Sequence, residues 1–196
     1  MTVYSMFSVP IIHYEIENWE VNKKRILDAL PPECPEECDK DIFTDFYTNI
    51  YKGMTELPEY ADTIIDIIKP YLLDAKQKIR LSTDNSKLEF INMWYQKYYR
   101  GVSHGPHNHG HGGWSSINYI EFDPEVHQAT QFCSPFNDIL SGELVHFIPP
   151  IKEGDMVIFP SIITHEALPN MSDIRRTIVS YNLRGKVDQP KKTIEN

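Results

Sequence analysis

The sequence of 196 residues is short of basic charge: 19 Lys plus Arg stand against 28 Asp plus Glu, a formal net charge of −9. So acidic a chain offers no basic footprint for nucleic acid and is repelled by an anionic membrane surface. Long apolar runs are missing too. No stretch approaches the roughly 18 residues a membrane-crossing helix needs. Residues 1–15 carry neither the basic flank, the apolar stretch nor the cleavage site of a secretion signal. Cysteine is scarce. Cys34, Cys38 and Cys133 cannot make a disulfide framework, since one is left over. The Cys34/Cys38 spacing resembles half a metal knuckle, but no second pair completes it, so these read as free thiols in a Pro/Glu-rich loop. Together the absences predict a soluble, cytoplasmic protein with neither a nucleic-acid nor a membrane partner. What is present, 41% apolar and 24% charged residues, suits one ordinary globular domain.

Residues 6–16 read as a strand around Pro10, which favours an edge position. Asn18 can cap a first helix reaching about Leu30, with Trp19, Ile26, Leu27 and Leu30 on one face. Pro31, Pro32 and Pro35 end it. A second helix starts near Pro58 and keeps helical apolar spacing to about Leu81, with Pro70 expected to kink or divide it. Beyond residue 87 the pattern changes to short apolar and aromatic runs punctuated by Gly and Pro. Candidate strands are residues 88–99, 114–122, 131–133, 144–148, 155–159, 164–168 and 177–184. The fold class is therefore mainly β with N-terminal helices (α+β), the strands forming a sandwich or barrel. One domain over residues 1–186 is expected, with a helical layer over 1–87, a β core over 88–186 and a flexible tail over 187–196.

Histidine carries the chemistry. Four of the eight, His104, His107, His109 and His111, fall within eight residues. Residues two apart on an extended segment point the same way, so His107 and His109 could meet one ion. Imidazole suits iron, zinc, copper or nickel. A surface His-rich loop without a site would look the same locally. A distant feature adds weight: His165 opens one candidate strand and Arg175-Arg176 open the last. If residues 169–173 make a hairpin turn, an arginine lies about 5–8 Å from His165. A metal and a fixed cation at that separation suit a short dicarboxylate, chelated at one end and paired bidentately at the other. Which arginine faces inward depends on register, and a one-residue slip reverses the answer.

The order of these features resembles the double-stranded β-helix (jelly-roll, cupin-like) fold of the Fe(II) and 2-oxoglutarate-dependent oxygenases, more closely the small oxygenases of marine bacteria and phages. The resemblance runs from Met6-Phe7-Ser8-Val9-Pro10-Ile11 through Trp94-Tyr95, Gly101, His107-Asn108-His109, residues 115–120 and Pro135. It closes with Gly154-Asp155, Phe159-Pro160-Ser161, His165, Pro169-Asn170 and residues 176–182. It implies metal ligation by His107 and His165 and binding of the far carboxylate of 2-oxoglutarate by Arg176, with Arg175 in reserve. Tyr119 matches a tyrosine that helps hold that carboxylate in the related prolyl hydroxylases.

The family pattern has Asp or Glu where this chain has His109. Either His109 completes a three-histidine site, as in certain cupin dioxygenases, or the carboxylate is lost or supplied elsewhere, with His111 or His104 as substitutes. A neutral third ligand leaves the site one unit more positive. The resemblance implies Fe(II) and 2-oxoglutarate as cofactors, molecular oxygen as co-reactant, and hydroxylation of a small-molecule or peptide substrate with decarboxylation of 2-oxoglutarate to succinate. Two other readings stand beside it: a non-catalytic metal- or ligand-binding β-barrel module, and a three-histidine cupin-like dioxygenase that does not use 2-oxoglutarate. Trp94, Tyr98, Tyr99 and Trp114 are candidate pocket walls, and Gln131 or Phe132 could approach the cosubstrate. The edge strand at residues 6–16 could pair two copies into a homodimer.

Overall fold

A computed structural model describes residues 8–32, 43–46, 56–79 and 86–187. Cys34, Cys38, residues 6–7 of the first expected strand and the tail beyond 187 lie outside the described residues. The chain runs β1 (Ile12–Glu15), α1 (Trp19–Ala29), β2 (Phe43–Thr44), α2 (Ala61–Ile79), β3 (Ser86–Tyr98), β4 (His104–His107) and β5 (Trp114–Glu121). It continues with β6 (Gln131–Asn137), β7 (Leu144–Phe147), β8 (Asp155–Pro160), β9 (His165–Ala167) and β10 (Arg176–Val187). A six-stranded sheet has the order β1-β8-β5-β10-β3-β2, and a four-stranded sheet the order β4-β9-β6-β7, all pairings antiparallel. No helix among the described residues is long and apolar enough to cross a membrane.

Successive side chains of a strand point to opposite faces, and the six-stranded sheet uses this to serve two cores. On one face Met93, Tyr95, Ile120, Met156, Ile158, Val179, Tyr181 and Leu183 pack against Ile26 of α1 and Ile64, Ile68 and Leu72 of α2. On the other, Tyr98, Ile117, Tyr119, Val157, Phe159 and Ile178 face the space between the sheets, where Phe132 of the four-stranded sheet joins them. Burying one such aliphatic or aromatic side chain stabilises the fold by about 1.5–3 kcal/mol.

Several local expectations meet the structure differently. Asn18 does precede α1, but it sits in the left-handed region (φ 52°, ψ 40°) and its side chain makes no capping bond; its carbonyl accepts from the N–H groups of Val21 and Asn22 instead. Asparagine tolerates that conformation better than most residues. Pro70 does not divide α2, which continues unbroken from Ala61 to Ile79. Pro70 is exposed, so water can satisfy the carbonyl that its missing N–H leaves free. Residues 104–107, outside the candidate strands, form β4, whose pairing with β9 shifts register between His104 and His107. The irregularity absorbs Gly105-Pro106.

The predicted hairpin also needs correction. β9 pairs with β4 and β6, whereas β10 pairs with β3 and β5, so residues 169–173 carry the chain from one sheet to the other. Arg176 meets the end of β9 by donating to Leu168 O across the two sheets, not through a hydrogen-bonded strand pair.

Candidate metal centre

Three of the sequence-predicted histidines converge between the sheets. His107 ends β4 and is the Cα partner of His165 at the start of β9; their ring centroids lie 4.4 Å apart. His109, two residues past β4, places its ring 5.1 Å from His107 and 5.2 Å from His165. One nitrogen from each of the three falls within 4.8 Å of the others. The loop carrying His109 is fastened at its backbone. The His109 N–H donates to Ser161 O at 2.9 Å, and the Ser161 N–H donates to Gly113 O at 3.0 Å. Gly113 has no room for a side chain, since a Cβ there would lie 2.6 Å from the carbonyl oxygen of Leu183. That close approach lets the His109 loop lie flat on the sheet.

Hydrogen bonds select the tautomers. His107 Nδ1 is 2.8 Å from Gly105 O, and His165 Nδ1 is 2.9 Å from Ile163 O. A carbonyl can only accept, so both Nδ1 atoms carry the proton and both Nε2 atoms keep their lone pairs for a ligand. Burial pushes the pKa of His165 down to about 3 and that of His109 to about 4, with repulsion among the clustered histidines adding to it. His107 is likewise lowered by burial, against the opposing bond to Gly105. Three neutral nitrogen donors around about 20 Å³ of free space fit a divalent borderline cation such as iron(II). Because no ligand carries charge, the bound ion would keep its full +2.

The reserve histidines separate. His104 stacks on His107 with centroids 4.0 Å apart and planes 17° apart, and its Nδ1 lies 3.3 Å from Gln96 Nε2. It lines the pocket but stands outside the three-nitrogen group. His111 is exposed and belongs to neither. Trp94 and Tyr98 wall the pocket as expected. Tyr99 and Trp114 do not: Tyr99 is partly exposed edge-on to Phe43, and Trp114 packs against the helix-side core. Phe132 meets Phe159 edge to face behind His165, while the Gln131 side-chain amide donates to Glu166 Oε1 at 2.7 Å. Sequence reading missed Gln96, Thr130 and Glu166 in the wall. Gln96 was accessible to it, since period-2 alternation puts Gln96 on the side of Trp94 and Tyr98.

The two arginines point opposite ways. Ile178 and Ser180 line the pocket, and Arg176 shares their side of β10 by alternation. Arg176 is 2% exposed, donates to Gln128 O at 2.6 Å and Leu168 O at 3.0 Å, and lies over the Tyr98 ring at 4.3 Å. Arg175 turns outward into a two-bond pair with Glu121, at 2.8 and 2.7 Å. The hydroxyl of Tyr119, fully buried, donates to Thr130 Oγ1 at 2.9 Å and accepts from the Thr130 N–H at 3.1 Å. Thr130, not Tyr119, forms the wall itself. Of the histidines without a predicted role, His13 pairs with Asp155 at 2.8 Å, and His127 is held between the Asp123 N–H and Ile174 O.

Comparison with known proteins points the same way. No curated protein matches the sequence. A prolyl-4-hydroxylase from Pseudomonas putida superposes with a TM-score of 0.57 at 15% identity, covering 91% of this chain and 94% of that one. The viral collagen prolyl hydroxylase of Paramecium bursaria Chlorella virus-1, solved with 2-oxoglutarate, gives 0.55 at 13% identity over 89% of this chain and 96% of its own. The epimerase SnoN of nogalamycin biosynthesis, solved with Fe³⁺ and α-ketoglutarate, gives 0.59 at 12% over 95% and 87%. At such identities the likeness establishes the double-stranded β-helix fold. The family model described as "Putative 2OG-Fe(II) oxygenase" matches residues 92–182, a span that holds all three histidines, Tyr119 and Arg176. Over this span, somewhat less than half of the sequence, the chain is similar to the 2OG-Fe(II) oxygenases, enzymes whose cofactors are iron(II) and 2-oxoglutarate.

Proposed function

We propose that the protein is a hydroxylase that converts 2-oxoglutarate, O₂ and a substrate C–H into succinate, CO₂ and C–OH. The observation that carries this reading is the convergence of three neutral imidazoles, two with Nδ1 committed to backbone carbonyls, in a pocket that Arg176 backs from β10. His107, His109 and His165 would hold the iron, leaving coordination positions for the keto acid and oxygen. Iron(II), when bound, supplies the redox chemistry that couples oxidation of the keto acid to oxidation of the substrate.

The other steps belong to the chain. Arg176 has five guanidinium donors, of which two carbonyls occupy two; the remainder can bind the far carboxylate of the keto acid. Tyr119 supports that end through Thr130. Three neutral ligands make the dianion of 2-oxoglutarate the charge match for the loaded site. Gln96 and Trp94 line the way in for the cosubstrate. Trp94 and Phe159 then exclude water from the reacting centre. The substrate is a small molecule or a peptide segment.

The test is succinate formation from 2-oxoglutarate with iron(II) and ascorbate, together with thermal stabilisation by 2-oxoglutarate. Both are expected from the wild type even without a prime substrate, as uncoupled turnover. Absence of both overturns the reading. His109 in the usual carboxylate position favours one rival, a three-histidine dioxygenase without 2-oxoglutarate. Oxygen uptake that requires iron yet ignores 2-oxoglutarate would establish that rival.

A further inference from the structure

On the outer face of the four-stranded sheet, three unlike donors from three adjacent strands meet. His146 of β7 is the Cα partner of Cys133 of β6. Glu166 of β9 is the partner of Gln131, two residues along β6 from Cys133. Alternation turns Phe132 and His165 inward and puts Cys133, His146 and Glu166 on the same outward side. One donor atom from each lies within 4.8 Å of the others. We propose that Cys133, His146 and Glu166 form a second, independent metal site, built for zinc or a similarly thiophilic divalent ion, with water as the fourth ligand.

The geometry is that of a tetrahedral edge. Zn–S of about 2.3 Å and Zn–N of about 2.05 Å place sulfur and nitrogen about 3.6 Å apart around one ion; Cys133 Sγ and His146 Nδ1 are 3.7 Å apart. A thiol hydrogen bond to the imidazole accounts for that pair alone and leaves Glu166 unexplained. Glu166 has one oxygen engaged by Gln131 and the other free. The site is half sheltered: Cys133 is buried, while His146 is exposed and gives the ion a way in.

Charge supports the assignment. Burial, and then the negative charge of Glu166, raise the Cys133 thiol above its ordinary pKa. Without a cation the thiolate and the carboxylate repel each other; a divalent ion neutralises both. On binding, the S–H proton passes to solvent as the metal–sulfur bond forms, with no change of oxidation state. The sulfur donor also separates this site from the all-nitrogen centre, since thiolate selects zinc where imidazoles alone accept iron(II). His165 and Glu166 are consecutive, so an ion here fastens to β6 and β7 the strand from which the metal histidine projects.

Cobalt(II) titration of the metal-free full-length protein tests this. The wild type should take up two equivalents, one with thiolate-to-cobalt charge-transfer absorption in the near ultraviolet. That band should persist in Cys34→Ser/Cys38→Ser, where Cys133 is the only thiol, and disappear when Cys133→Ser is added. His146→Ala, at an exposed position that does not threaten folding, should weaken uptake at this site by about tenfold or more. His165→Ala should remove the other equivalent and leave the band, so failure here is distinguishable from failure of the oxygenase site. A wild type without the sulfur band, or a band lost in Cys34→Ser/Cys38→Ser, overturns the proposal.

Discussion

On the helix side of the six-stranded sheet, Ile120, Met156, Ile158 and Val179 meet Ile64, Ile68 and Leu72 in a close-packed apolar layer. On its inner side the same sheet presents Gln96, Ser115 and Ser180 toward three imidazoles, and Arg176 toward Gln128 O and Leu168 O. Both faces come from the same β3, β5, β8 and β10, separated only by residue parity. The helix side is therefore almost wholly apolar, while the inner side carries polar groups with partners of their own: side chains for Gln96 and Ser115, backbone carbonyls for Arg176. If this division is right, substitutions on one face should leave the property of the other nearly untouched.

The largest expected effect is His165→Ala. Metal uptake at the three-histidine centre and succinate formation should both fall below detection, while the freed carbonyl of Ile163 costs the metal-free fold only about 1–3 kcal/mol. Iron content and far-ultraviolet circular dichroism measure the two sides. Next comes Ile158→Ala, at a position with 0% exposure. It should lower stability by about 2–5 kcal/mol in denaturant unfolding and leave metal affinity unchanged; a loss of affinity would show the faces to be coupled. Third, Arg176→Gln should keep metal binding and raise the 2-oxoglutarate concentration needed for half-maximal turnover by about 10–100-fold, as expected for losing a charged bond worth about 1.5–3 kcal/mol. Arg175→Gln should do neither. If Arg175→Gln is the damaging change, the far carboxylate is held from the outer side.

How far the sequence foretold this division varied with the range of the interaction involved. The strands from residue 88 onward were legible because their apolar alternation is local, and the grouping of His107 with His109 was legible because they are two residues apart. What could not be read was long-range. Residues 169–173 look like a hairpin turn, yet the chain crosses between sheets there, since nothing in a turn sequence states which strand will be the partner. Parity of Arg175 against Arg176 depended on that same pairing. β4 escaped notice because Gly105 and Pro106 argue against a strand, and only its pairing with β9 overrides them. Thr130 lies outside any patterned segment, and it enters the site only because Tyr119 is bonded to it from the neighbouring sheet.

The smallest effect probes the outer side of β10, where Glu121 joins Arg175 and the Thr177 hydroxyl. Burial pushes the Glu121 carboxyl up, but the bonds from Arg175 and Thr177 outweigh it and hold the pKa below its ordinary 4.5. A carboxylate depressed on folding binds fewer protons in the folded than in the unfolded state, so its contribution is complete above pH 4.5 and is lost as pH falls through the lower folded value. Arg175 is more than a third exposed, and solvent screening limits the pair to about 0.5–1 kcal/mol. Glu121→Gln should therefore melt a few degrees below the wild type at pH 7 and converge with it as pH falls through the lowered folded value. Succinate formation at pH 7 should be unchanged. A fall in turnover without a fall in melting temperature would mean that Glu121 and Arg175 act on the site after all, and the separation of the two faces would fail at β10.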